Sequence, residues 1–442
     1  MENIMSFQYS FFKFFLLTFL VSGYHVKCFS SEKEKTFAAI IKHAVFLEKG
    51  HKNYTVFQDN DFKIIKVTNL NKSGEGSLSW AIKQKGPRIV VFEVGGVIDM
   101  EREDIRFDEP YLFVAGQTAP EPGITIIKTE ITVYAHDVIF QHIAIRTGDA
   151  DLPKSSKWEK DALNTDKAYN AVMDHCSFTW ATDENLSAGG PGQLGWKKTS
   201  KSITFSNNII SEGLYESTHV KGIHSMGTLV HDYVKNIAIV GNLYSQNNER
   251  NPFLKPNVRA FIANNLIYNT KNRAIHSSWP VEEYVNAPDS LRRARITSIG
   301  NVVIPGVDTP DELCVMQGPL KVYQRDNAYI ENILSKENLE HKVLCPEIEI
   351  LAKSPIWSDK YRLIKAKDVP ANVLKNAGSR PKYRNAIDQR IVNDVINKTG
   401  KLINSQNEVE GYPNYPQTNR TLQIPEKNIE QWLEKLSEQL IK

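Results

Sequence analysis

A short unit recurs along the middle of the chain: alternating apolar residues, a polar residue that is usually Asn, then another apolar residue. Copies begin at Val138, Val172, Ile203, Ile237, Phe261, Ile296 and Val322, and their polar positions are His142, His175, Asn208, Asn242, Asn265, Asn301 and Asn327. The steps between these positions are 33, 33, 34, 23, 36 and 26 residues. Short alternating segments with a smallest step in the low twenties fit one turn of a parallel β-helix, the longer steps carrying loops. An Asn at the corner of each coil tolerates left-handed backbone and hydrogen-bonds to its equivalent one coil away. The seven positions are therefore expected to stack in one column. An antiparallel sandwich also has many short strands, but hairpin signals such as Asn-Gly are absent at these corners. Ile89–Phe92 and Ile124–Ile127 read as earlier strands of the same coil.

Outside the repeat the chain changes character. Residues 1–30 carry the apolar run Phe11 to Val21, followed by the small Ser22 and Gly23, and read as a signal peptide. A retained anchor is the alternative. Residues 31–61 are expected to form a leader or cap, 62–335 the solenoid, and 336–442 a partly helical extension that packs on or caps it. No later segment approaches the roughly 20 apolar residues of a membrane span. Sequons at Asn53, Asn71, Asn185, Asn397 and Asn419 support secretion, so an extracellular protein is expected, with no stable membrane association after leader removal. Cys28 lies in or beside the leader. Cys176, Cys314 and Cys345 remain, without metal spacing; one disulfide is open to them, and Cys176 reads as core. A net charge of only +3 argues against nucleic acid as partner. A monomer is expected.

Three clusters carry candidate chemistry. Asp161, the pair Asp174-His175 and the run Asp183-Glu184-Asn185 form the first; His219, Lys221 and His224 the second; Glu249-Arg250-Asn251-Pro252 with Lys255 the third. Residues one coil apart sit about 4.8 Å from each other in a stacked solenoid, so acids and cations from these clusters would share a face. That face suits a polyanionic sugar chain bridged by a hard cation. His175 takes a corner position and reads as structural. His219 and His224 stand between groove-lining and packing roles, and Trp80 and Trp180 between sugar stacking and core.

At these residues the sequence resembles the pectate lyases of the first polysaccharide-lyase family. Asp161-Ala162-Leu163, Asp174-His175, Asp183 to Ser187, Glu249 to Pro252, the opening Val67 to Asn71 with Gly76-Ser77-Leu78, Ala115 to Pro120 and the tail Asn376 to Pro381 carry the likeness, over roughly residues 62 to 413. The resemblance implies a right-handed parallel β-helix that cleaves de-esterified pectin (polygalacturonate) by calcium-assisted β-elimination. It makes Asp161 and Asp183 calcium ligands, Lys221 a substrate-binding lysine and Arg250 the catalytic residue. His224 and Lys255 are further expected substrate contacts. Three positions depart from the family: Ser187 stands where an acid is usual, Lys255 where a second arginine is, and Phe253 where Arg is frequent. Glu184 is placed with the calcium ligands as a compensating acid, the alternative being a weaker site.

Elimination requires removal of the proton beside the uronate carboxylate. A calcium ion shared by protein and sugar carboxylates neutralises that group, and fixed cations such as Lys221 and Lys255 stabilise the charge that develops. The family assigns proton removal to arginine, which sits uneasily with a guanidinium that is always protonated. Purely electrostatic stabilisation by Arg250 is the other reading. Two rival functions use the same fold: a pectin hydrolase with paired carboxylates and no metal, and a carbohydrate-binding β-helix without chemistry.

Overall fold

The structure, a computed structural model, describes residues 35–36, 38–48, 55–56, 62–278, 291–335 and 337–442. The expected signal peptide, Cys28, Asn53 and much of the expected leader lie outside the described residues. From Lys63 onward the chain winds through three sheets in turn. The first has eleven strands, from Lys63–Val67 to Glu349–Ile350. A second of ten and a third of eight complete the coil. Every pairing between successive coils is parallel; the exception is Thr418–Asn419, which closes one edge of the second sheet antiparallel to Val94–Gly95. Parallel strands linked by crossovers wind right-handed, and the chain is a right-handed parallel β-helix. The parallel pairing continues beyond residue 335, since Lys321 and Val322 pair with Glu349 and Ile350.

The alternation read in the sequence works as expected inside the coil. Phe140, Met173, Phe205, Ile239 and Ile262 come from successive first-sheet strands and are fully buried in one continuous core. Cys176 is buried there as a free thiol, and Cys314 and Cys345 form a disulfide. Trp180 is fully buried too, its indole N–H donating to Glu212 at 2.9 Å, so it is a core residue.

The corner between the first and second sheets differs from its expected form by one residue. Two adjacent columns divide the work that a single Asn column was expected to do. His142, His175, Asn207, Gly241, Asn264, Gly300 and Asp326 adopt the left-handed conformation. Asn208, Asn242, Asn265, Asn301 and Asn327 follow one residue later and form the hydrogen-bonded ladder. Each backbone N–H donates to the side-chain oxygen of the next Asn: Asn208 to Asn242 at 2.9 Å, Asn242 to Asn265 at 3.0 Å, Asn265 to Asn301 at 3.1 Å and Asn301 to Asn327 at 3.0 Å. The side-chain amides return the bond to carbonyls of the preceding coil, as Asn242 does to Phe205 at 3.0 Å. His142 and His175 belong to the left-handed column, their rings stacked 5.2 Å apart; the ladder's lower end is the backbone N–H of Cys176. The seven positions thus fall in two columns because a corner needs both a left-handed residue and a donor–acceptor side chain beside it.

The extension covers two of the three outer faces. Helices Val369–Asn376 and Ala386–Asn397 lay Val369, Val373, Ile391 and Val395 on Ile209, Leu243, Leu266 and Val302 of the second sheet. A buried ion pair fastens them: Arg146 donates to Asp388 at 2.7 Å, and the Ser177 hydroxyl donates to the same carboxylate at 2.6 Å. Helix Ile429–Ile441 and Ile40 cover the first sheet over Ile89, Phe113 and Val172. Neither apolar blanket includes an outer residue of the third sheet. Among the described residues, nothing apolar covers that face.

Replacing Asn242 by Leu keeps the volume but strips Asn208 N–H and Phe205 C=O of their partners in a buried corner. With about 1–3 kcal/mol lost for each buried group left unsatisfied, the denaturation midpoint should fall clearly, whereas Lys427→Ala on the surface should leave it in place.

Candidate active site

The open face is built by residues that precede or begin the third-sheet strands on successive coils. Asp161 lies just before Leu163–Asp166, Asp183 just before Glu184–Gly189, and Arg250 before Phe253–Leu254. Register places Glu184 beside Met226, which bridges to Glu249 on the following coil, so Arg250 sits two coil steps from Glu184 and its long side chain reaches back. The Arg250 guanidinium pairs with the Glu184 carboxylate and lies 3.9 Å from that of Glu249. Its backbone is left-handed, at φ 64°. Gly227 permits that placement, since a Cβ there would lie 2.5 Å from the Arg250 carbonyl oxygen. The same carbonyl accepts the Thr228 N–H.

A buried amide chain supports these residues from below. Asn185 donates to Asn247 at 3.2 Å, Asn247 to Asn251 at 3.1 Å, and Asn251 to Thr270 at 2.8 Å. Two of these bonds cross between coils and the Asn247–Asn251 bond closes the segment around Arg250, which locks the backbone on either side of Glu184 and Arg250. Asn185 is fully buried in this chain. Its sequon is therefore out of reach in the folded protein, whereas Asn71, Asn397 and Asn419 are exposed.

The acids converge. Asp161, Asp183 and Glu184 each offer an oxygen, and these atoms lie within 4.8 Å of one another. Asp161 accepts the Glu184 N–H at 2.9 Å and the Ser187 hydroxyl at 2.6 Å. Ser187, at the position where an acid was expected, thus contributes a donor to the cluster. Burial and the neighbouring charges of Asp183 and Glu130 push the Asp161 carboxyl well above the ordinary aspartate range, against the pull of Ser187 and Arg250. For Asp183 burial pushes upward as well, but the hydrogen bond and charge of His224, with the charges of His219 and Arg250, outweigh it and hold the carboxyl below its usual value.

His224, expected among the substrate contacts, is buried and bonds to Asp183 at 2.7 Å. His219 stacks on it at 3.7 Å and brings its Nε2 to 3.6 Å from the other Asp183 oxygen. Asp183 and the two histidines also have ligand-sized spacing. However, His219 Nδ1 accepts the Lys221 backbone N–H at 3.1 Å, so in the neutral ring the proton is on Nε2. That atom turns its N–H toward Asp183 without reaching hydrogen-bond distance, and the two imidazoles, His224 bonded and His219 alongside, form a cradle for the carboxylate. The all-oxygen group, with its uncompensated Asp161, is the donor set that fits a hard cation.

Lys221 stands exposed at the tip of the His219–His224 loop, between the exposed Val220 and Ile223. Lys255 is half-buried at the far end of strand Phe253–Leu254 from Arg250. The cluster opens into a cleft of about 500 Å³ along the third sheet, walled by Glu130, Tyr134, Asn164, Asp166 and His231. Gly189 admits His231, because a Cβ there would meet the imidazole at 2.7 Å. Farther along the sheet Phe253 stacks on His276 at 4.7 Å, whose pKa burial pushes down to about 3. Glu130, which no sequence signal singled out, joins the cluster because it precedes strand Ile131–Val133, paired in register with Leu163–Thr165 of the Asp161 coil. Asp174 and His175 lie elsewhere, bonded to each other at 2.8 Å on the outer side of the first sheet.

Similarity to known proteins points the same way. The chain is 30% identical over 362 residues to probable pectate lyase C of Aspergillus oryzae, covering 78% of this chain and 76% of the relative. It is 30% identical over 366 residues to probable pectate lyase C of Aspergillus flavus, covering 79% and 77%. Its backbone superposes on a solved pectate lyase, studied for substrate specificity and an anti β-elimination mechanism, with TM-score 0.50 at 12% identity, covering 77% of this chain and 98% of the other; that likeness concerns the fold. No family model matches.

An aspartate whose pKa is raised by folding holds its proton in the native state at pH values where the unfolded chain has released it. The native state then binds more protons, and stability falls as pH rises from about 4, the ordinary value, through the raised one. In chelator, the melting temperature should drop over that window. Asp161→Asn should flatten the drop and melt above the parent at neutral pH.

Proposed function

The chain belongs to the pectate lyases, and we propose that it cleaves de-esterified pectin by calcium-assisted β-elimination, outside the cell, with Arg250 at the reaction centre. The observation that carries this reading is the meeting of three carboxylates that line an open cleft, one of them paired with the Arg250 guanidinium. A paired-carboxylate hydrolase would not need a cation stationed among its acids.

Asp161, Asp183 and Glu184 are the residues that would hold calcium, which supplies charge neutralisation for the uronate carboxylate beside the reacting carbon. The histidine cradle orients Asp183 and leaves Asp161 to face the cleft. Arg250 places positive charge where the enediolate charge develops. Its pairing with Glu184 favours the protonated guanidinium, so proton removal by Arg250 would require that pair to open; electrostatic stabilisation requires no such change. Lys221, exposed on the loop before Met226–Val230, and Lys255, just past strand Phe253–Leu254, would add positive charge for an extended polyanion. The apolar run Phe11–Val21 and the exposed sequons at Asn71, Asn397 and Asn419 support export.

Absorbance of unsaturated products released from polygalacturonate tests the whole reading. EDTA should abolish the signal and added calcium restore it; full turnover in decalcified buffer contradicts the calcium assignment. Arg250→Ala should lower turnover by roughly two orders of magnitude or more with little change in substrate affinity. Arg250→Lys, which keeps charge without the planar fork, should also be badly impaired. Parent-like turnover in Arg250→Ala would make Arg250 structural. Ser187→Asp should tighten calcium binding by adding a charged oxygen beside Asp161.

A further inference from the structure

Across the turn that follows the third sheet, five successive coils of the first sheet begin with or near a cation. Lys201 pairs in register with Lys235, Lys235 with Arg259, Arg259 with Arg295, and Arg295 with Lys321. At about 4.8 Å per strand the file extends for about 19 Å. Like charges directly opposite one another on adjacent strands are destabilising, and a chain of net charge +3 has no general need for such a row.

The ends of the file are neutralised. Lys201 lies 3.7 Å from Glu48 and Lys321 2.8 Å from Glu349. Lys235, Arg259 and Arg295 have no carboxylate partner among the described residues. Burial and the charge of Arg259 push the Lys235 ammonium below its ordinary pKa, the mark of an unrelieved cation. Lys235 sits 4.6 Å over the ring of Trp196, an indole 44% exposed. Between Trp196 and the Arg292-Arg293 segment lies a cleft of about 270 Å³. Asn257 lines it with a buried side-chain amide nitrogen that has no hydrogen-bond partner among the described residues.

We propose that this file is a second, non-catalytic site that anchors an extended chain of linked uronic acids, its carboxylates along the cations and a sugar ring on Trp196. A single row of cations suits a polymer with one negative charge per ring. A nucleic acid duplex, with a charge every ~1.7 Å of axis on two strands, calls for a broader basic surface. The choice of a uronic-acid polymer rests on the function proposed above; the binding of a polyanion does not.

Gel retardation in polygalacturonate, run in EDTA, reads this site without calcium bridging or cleavage. The parent and Asp161→Asn should be retarded equally, and fully methyl-esterified pectin should retard neither. Arg259→Gln/Arg295→Gln should bind about tenfold more weakly. With calcium present, the double variant should show a raised KM on polymer and unchanged kinetics on trigalacturonate. Retardation of the parent should also fall steeply with salt, a readout independent of whether the double variant folds. Absence of retardation in the parent, equal retardation of the double variant, or tighter binding of single-stranded DNA at equal charge overturns the proposal. If retardation persists but no polymer yields unsaturated product, the functional reading fails and the anchoring site stands.

Discussion

A parallel β-helix has no hairpins to fix its register, so register must come from side chains that recognise the coil above and the coil below. In this protein that work falls to the ladder from Asn208 to Asn327, where each amide accepts from one coil and donates to another within a buried corner. A slip of one residue would leave several buried donors and acceptors unpaired at once. The ladder therefore ties the coils from Cys176 to Asn327 to one another at this corner. Asp161, Glu184 and Arg250 come from different coils, and only because the coils cannot slide do their side chains meet.

The same regularity creates the site's electrostatic tension. Stacked coils bring like groups together, as with Asp161 and Asp183 or with Lys235 and Arg259. Among the acids the tension is relieved in part by Arg250, by the Ser187 hydroxyl and by the two histidines around Asp183. What remains uncompensated is the Asp161 charge, at the mouth of the one cleft flank the extension does not cover. Stability is conceded there, and a cation that binds the native state would return it by mass action.

The repeat, the core-facing alternation and the change of character toward the C-terminus were legible because period-2 patterning and recurring Asn leave a direct mark on the sequence. The corner was read one residue out at His142 and His175, since both columns favour small or polar residues and nothing local separates a left-handed position from its hydrogen-bonding neighbour. Glu184 could be placed near the acids by proximity to Asp183, but its pairing with Arg250 depends on a two-coil reach that spacing does not reveal. The histidine cradle was hidden for a related reason: His219 and His224 lie in a loop, where neither helical nor strand periodicity applies.

What the sequence determined by itself is the coil, its approximate period, and the family whose chemistry the acids and Arg250 resemble. These are written in local patterns and in residue types at fixed order. The tertiary structure decided which residues touch: that Ser187 donates to Asp161, that His224 serves Asp183, that Asn185 is buried under the site, and that five cations line up on the neighbouring sheet. The physical reason is that coils of unequal length are brought into register by backbone pairing, so contact between residues 23 to 66 positions apart follows from the stack and not from spacing along the chain.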